Sequence, residues 1–186
     1  MNKPPLRRLC LVGVRGVGKS TLIRKVVADL PSVDYIVGSV VLRELAGADF
    51  QRFDHLPPEV KQQFREQAIS WMEARQARTG KHILCDGHTS LLDESTGLVG
   101  PVFTERDCGF FRELILLEAS VEAVLEQRKA DMTKRRSLDP QVIAAEIDGE
   151  RVTSRRVAES WEMLFHTLPA SRDPNAASRL KEILQT

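Results

Sequence analysis

The sequence predicts an α/β fold in three layers, with a mainly parallel sheet of four or five strands held between two layers of helices. Two observations carry this expectation. Short apolar runs alternate with segments of helical period along the chain, the pattern of strands joined by helical crossovers. The first apolar run, RLCLVGV, also feeds straight into a glycine-rich turn, Gly13 to Ser20, that opens a helix, the strand–loop–helix unit of a phosphate cradle. A chain of 186 residues with 42% hydrophobic composition is long enough to bury a real core in one domain.

The elements follow in order. RLCLVGV is nearly continuous in apolar character, which suits a strand covered on both faces. Lys19 to Leu30 places Leu22, Ile23, Val26, Val27 and Leu30 at helical spacing, and Pro31 ends it. VDYIVG, 33 to 38, reads as a second strand and Val40 to Leu45 as a short helix. The polar stretch 46 to 57, AGADFQRFDHLP, reads as a loop. Glu59 to Thr79 is a long helix with Val60, Phe64, Ala68, Trp71, Met72 and Arg75 along one side; Pro58 fits its first turn and Gly80 its end. HILCDG, 82 to 87, is a third strand. Residues 88 to 108 show no regular period, and a structureless segment of that length is expected to bind or close over a ligand. RELILLEA, 112 to 119, is a fourth strand, and Val121 to Arg136 a helix that becomes strongly basic. Pro140 to Leu168 reads as mostly helical, with Gly149 the place for a break, and Ala176 to Leu184 as the last helix. A fifth strand, if formed, has little pattern to announce it.

Bulk properties exclude several classes. Lys plus Arg total 27 against 26 Asp plus Glu, a balance of +1, so no overall field draws the chain to nucleic acid or to an anionic membrane. Cys10, Cys85 and Cys108 are an odd, sparse set without paired spacing, which is not a disulfide framework; small buried thiols are the expected reading. The apolar run near the N-terminus is too short for a membrane span and reads as a strand rather than a signal peptide. A cytoplasmic location fits these features.

Gly13, Gly18, Lys19 and Ser20 fill the pattern G-x-x-x-x-G-K-[ST], followed by Thr21. Glycines let successive backbone N–H groups turn inward on an anion, and the next helix aims its positive end at the phosphates. Lys19 can reach the outer phosphate oxygens, and Ser20 can set a hydroxyl on Mg²⁺. Gly13, Arg15, Gly16, Val17, Gly18, Lys19, Ser20 and Thr21 are therefore the candidate nucleotide-binding set. Asp86 ends the strand HILCD, where a carboxylate beside such a loop holds Mg²⁺ or its water. His88 either contacts an acceptor or is a hydrogen-bonded loop histidine. No [NT]-K-x-D stands anywhere to read guanine, and no Gly stands three residues after Asp86, which argues against a GTP-driven switch. Two basic clusters remain: Arg128, Lys129, Lys134, Arg135 and Arg136, then Arg151, Arg155 and Arg156. A solvated helix face is the plain reading, but positioned arginines also stabilise the charge of a transferring phosphoryl group. An RNA surface is the other use of such a patch, and 5% aromatic content leaves it few stacking platforms.

With these motifs in order, the chain resembles the archaeal-type adenylate kinases, a branch of the nucleoside monophosphate kinase-like P-loop NTPases, over about Leu9 to Leu168. GVRGVGKST is similar to the family cradle, VGSVVLREL to the segment entering the monophosphate site, and LPPEVKQQFREQA to the long helix after it. LCDGHTSLL resembles the family's Asp-x-His stretch, and LEQRKADMTKRRSLD its arginine-bearing helical lid. The resemblance implies one kinase domain over 1–186, with an acceptor-binding insert at about 39–80 and a lid at about 126–156. It implies ATP as donor, Mg²⁺ as cofactor, Lys19, Arg128 and Arg136 as phosphate clamps, and Ser20 and Asp86 at the metal, with Lys19, Arg128, Arg136 and Asp86 as the catalytic set. Gly38, Ser39, Arg52 and His88 would line the acceptor side. The stretch DESTGLVGPVFTERDCGFF is longer and more polar than in the family, and TLPASRDPNAASRL lacks its strand pattern; both leave the acceptor and the base open. The expectation is an ATP-dependent phosphotransferase acting on a nucleoside monophosphate, AMP first, as a monomer or small homo-oligomer. The alternatives are a kinase of another small metabolite and an ATPase assembly factor that binds RNA or protein.

Overall fold

A computed structural model describes residues 5–93, 96–131 and 136–186. Its centre is a five-stranded sheet in the order β2-β3-β1-β6-β7, built from β1 (Arg8–Val12), β2 (Val33–Val37), β3 (His82–Asp86), β6 (Glu113–Leu117) and β7 (Leu164–Leu168). Every pairing in it is parallel. Successive strand residues point to opposite faces, so each apolar run feeds two cores. Leu9, Leu11, Leu84, Ile115 and Leu117 pack on one face with Leu22, Ile23 and Val26 of α1 (Lys19–Val27) and Leu180 and Leu184 of α7 (Ala176–Gln185). Cys10, Val12, Cys85, Leu114 and Leu116 pack on the other with Val41 of α2 (Gly38–Ala46) and Ala68, Ile69 and Met72 of α3 (Pro58–Thr79). This is the three-layer α/β fold with a parallel sheet that the alternation predicts.

Helix ends follow local chemistry. Gly80 closes α3 in the left-handed conformation (φ 62°) and donates its N–H to Gln76 O at 2.9 Å, a glycine C-terminal cap. Thr104 and Asp107 form a reciprocal capping box at the start of α4 (Glu105–Phe110), which satisfies two otherwise orphaned donors. Asp139 accepts from Gln141 N and Pro140 takes the first position of α6 (Pro140–Ser160), where its missing N–H costs nothing.

Four expectations need correction. Residues 88 to 108 are not irregular: Ser90–Asp93 (β4) and Leu98–Pro101 (β5) form an antiparallel hairpin, followed by α4. The stretch 46 to 57 is largely a kinked 3₁₀ helix, Gly47–His55, anchored by Phe53 against Phe50 and Phe64. The basic helix after β6, α5 (Val121–Ala130), stops at Asp131 rather than Arg136; Lys134 and Arg135 lie outside the described residues. Finally, the chain between Pro140 and Leu168 is helical only to Ser160. It turns through Glu162 at φ 50° and returns as β7, so the fifth strand exists. Gly149 does not break α6. A Cβ there would collide with Val99 of β5, so the glycine admits the hairpin against the helix.

Among the described residues, no helix is long and apolar enough to cross a membrane.

Candidate active site

The loops at the carboxyl ends of the strands converge, as ligand-binding crevices of open α/β sheets do. The cradle follows β1, the central strand between β3 and β6. Val14 and Val17 are buried and pin the loop to the core, and Val17 N donates to Val14 O at 3.2 Å. Gly16 (φ 86°) and Gly18 (φ 93°) lie in the left-handed region, which L side chains avoid. Gly18 caps α1, and among the described residues the cap makes no side-chain hydrogen bond to the first turn. Those amides remain available to an anion.

Lys19 is buried with its Nζ donating to Gly13 O at 2.7 Å. Asp86 Oδ1 stands 3.8 Å away and His88 Nε2 3.4 Å away. Burial lowers the Lys19 pKa, and the carboxylates of Asp86 and Glu150 oppose that shift. Ser20 donates its hydroxyl to Asp86 Oδ2 at 2.5 Å, and the Tyr35 hydroxyl reaches the same oxygen at 3.4 Å. Burial, followed by the charges of Lys19 and Arg15, holds the His88 imidazole well below its ordinary range. The ring is therefore neutral at physiological pH. Its Nδ1 stands 3.8 Å from Glu150 Oε1 and makes no hydrogen bond among the described residues. Thr21 is exposed on the first turn of α1 and Arg15 half-buried on the loop.

Two arginines reach the cradle. A Cβ on Gly16 would meet Arg128 Cγ at 3.0 Å and Arg136 Nη1 at 3.3 Å. Arg136 also pairs with Asp131 at 3.1 Å. Arg128 is buried, and its guanidinium is engaged by protein: Nε and Nη2 donate to Arg15 O at 3.1 and 2.9 Å, Nη1 to Ser137 O at 2.9 Å, and Nη2 to Glu146 at 2.7 Å. Arg151 is elsewhere, on Glu118 and Asp148, while Arg155 and Arg156 are exposed.

On the acceptor side, Gly38 opens α2 against the turn after β3. A Cβ there would stand 3.2 Å from Asp86 O. Ser39 is exposed beside it. Arg52 is not drawn in. Its side chain is 76% exposed, 3.5 Å from Asp49, and no hydrogen bond or ion pair joins it to Asp86 or His88 among the described residues.

Sequence reading missed several participants. Glu146 and Glu150 are buried carboxylates on α6, but they sit in a charge-dense stretch indistinguishable from a solvated face. Ser171, between β7 and α7, donates to Val17 O at 2.9 Å and covers Gly18 beside Gln127. Nothing local in TLPASRDPN signals that contact.

A sequence profile for the family described as "AAA domain" matches residues 12–144. Among solved structures, the chain is similar to shikimate kinase from Bacteroides thetaiotaomicron at 14% identity. The match covers 98% of this chain and 100% of that one with a TM-score of 0.61, a likeness of fold. No curated protein matches the sequence.

Proposed function

The chain belongs to the family of AAA domains, and from that premise we propose that it is an ATP-dependent phosphotransferase whose acceptor is a nucleoside monophosphate, AMP first. The observation that carries the reading is the meeting of Ser20, Asp86 and Lys19 at one end of the sheet, with the Arg136 guanidinium over Gly16. A hydroxyl and a carboxylate oxygen 2.5 Å apart are hard donors on one side of a site. They suit a Mg²⁺ that completes its shell with phosphate oxygens and water. The left-handed glycines and uncapped α1 amides suit the phosphates themselves.

Bound magnesium–ATP would supply the activated phosphoryl group. The chain's own residues would hold and orient it. Amides from Val14 to Ser20 would enclose the phosphate tail, and Lys19 would exchange Gly13 O for phosphate oxygens. Arg136, carried on a lid at about 126–156, would complete the enclosure and exclude water. Arg128 would first brace the Arg15 carbonyl and would serve phosphate only by releasing it. Gly38, Ser39 and the neutral His88 would orient the acceptor, with Arg52 joining only if the 3₁₀ segment closes.

A coupled ADP-release assay across AMP, CMP, UMP, GMP and deoxynucleoside monophosphates tests this. At least one acceptor should raise turnover above buffer, and Lys19→Ala should lower that turnover about a hundredfold or more while leaving the fold intact. If no monophosphate raises turnover, this acceptor class is wrong. The β4–β5 hairpin between His88 and α4 favours a second reading, a different small-molecule acceptor, in a fold like that of shikimate kinase. Hydroxyl acceptors, shikimate included, belong in the same assay.

A further inference from the structure

The most unusual group near the cradle is Glu150, a carboxylate 2% exposed with no arginine or lysine bonded to it among the described residues. Oε1 accepts from Gly13 N and Thr89 N, both at 3.0 Å. Oε2 accepts from Ser90 N at 2.7 Å and from Ser90 Oγ at 3.0 Å. Four donors fill the lone-pair sites of an ionised carboxylate, and charge-assisted bonds of this kind are the strong ones. A buried carboxylate is costly unless fully bonded, and an apolar side chain would serve packing alone at lower cost. The donors identify what the charge does here.

Those donors come from two segments that otherwise touch the site separately. Gly13 is the first residue of the cradle, and its carbonyl holds Lys19. Thr89 follows His88 directly, and Ser90 after it starts β4. His88 is thus pinned on both sides, by Asp86 through Ser20 and by Thr89 through Glu150. Gly149, next in the chain, lets Val99 of the hairpin lie against the same turn of α6. One turn earlier on the same face, Glu146 holds Arg128, which bonds the Arg15 carbonyl. One helix therefore grips both ends of the Gly13–Arg15 stretch and the start of the hairpin.

We propose that Glu150 is a positioning residue that locks the first turn of the cradle to the His88 loop, so that Lys19 on the donor side and His88 on the acceptor side keep a fixed separation. The inference rests on the phosphotransferase reading for its kinetic consequence, and on hydrogen-bond geometry alone for its structural one. A Gln at this position keeps the volume but turns one oxygen into a donor facing donors. Loss of alignment, rather than of nucleotide contacts, then predicts a selective effect on turnover.

The test compares wild type with Glu150→Gln, and with Glu150→Asp should the first fail to fold. Calorimetry with magnesium–ADP measures binding, backbone amide exchange reports Gly13, Thr89 and Ser90, and steady-state kinetics uses whichever acceptor the wild type accepts. Exchange at all three amides should accelerate together, kcat should fall about tenfold or more, and nucleotide Kd should stay within about threefold. Unchanged exchange at these amides in a folded variant overturns the proposal, whether or not the wild type transfers phosphate. So does an unchanged kcat, or a loss of activity matched by a loss of binding-competent protein. If the wild type uses no acceptor, the phosphotransferase reading fails, while accelerated exchange still upholds the lock.

Discussion

At the scale of single residues, the two arginines at Gly16 are set apart by their partners. The Arg128 and Glu146 side chains are 1% and 7% exposed and 2.7 Å apart, whereas Arg136 is paired with the half-exposed Asp131. Breaking a buried pair leaves the surviving charge without compensation, at about 3–5 kcal/mol; breaking a partly exposed one costs far less. Arg128→Ala should therefore lower urea-unfolding stability by several kcal/mol, and Arg136→Ala should leave it nearly unchanged. In kinetics the expectation reverses: under the proposed clamping role Arg136→Ala should lower kcat more than it weakens ATP binding, because its guanidinium would act on charge that develops during transfer. Equal stability losses would contradict this assignment. So would a loss of ATP affinity in Arg136→Ala as large as the loss of turnover. The spacing in EQRKADMTKRRSLD marks both positions as basic, but it cannot separate brace from clamp, because the deciding partners, Arg15 O, Ser137 O and Glu146, lie outside that run or on its far edge.

At the scale of elements, legibility followed burial. β1, β3 and β6 could be read because covered strands are nearly continuous in apolar character, and β2 because Val33, Ile36 and Val37 leave an apolar run even at the sheet edge. β7 could not: both it and β2 are edge strands, but β2 keeps Val33, Asp34 and Ile36 buried, whereas β7 has Leu164 62% exposed and Phe165, His166 and Thr167 half-buried, so neither alternation nor a continuous apolar run survives. The β4–β5 hairpin was missed for a related reason. It packs on α6 rather than joining the main sheet, and its strands are short. Gly149 looked like a helix breaker and proved to be a contact surface. Gly149→Ala gains up to about 1 kcal/mol of helix propensity, against about 1–3 kcal/mol for forcing a methyl into Val99. The single variant should be destabilised by chemical denaturation, and Gly149→Ala with Val99→Ala should recover most of the loss. A Gly149→Ala protein more stable than wild type would mean that the hairpin yields freely.

At the scale of the whole molecule, the cradle was legible because its residues are contiguous, while Glu146, Glu150 and Ser171 were not, because they reach the cradle from helices and loops far along the chain. The global packing also fixes the thiols. Cys10, Cys85 and Cys108 are all free and buried; burial pushes Cys10 well above the usual thiol range, and burial with the Asp107 charge pushes Cys108 up to about 11. At about pH 8 a thiol of that pKa is ionised to roughly one part in a thousand. A thiol-reactive chromophore should thus label Cys108 slowly in the folded protein and rapidly after denaturation. Fast labelling of the native chain would contradict the packing around α4. The central claim is that the amides from Val14 to Ser20, with Lys19 and Arg136, enclose a nucleotide's phosphates. Titration calorimetry with magnesium–ATP measures it most directly: saturable binding at one site per chain is predicted, weakened sharply in Lys19→Ala, and an absence of heat with folded wild-type protein would contradict it.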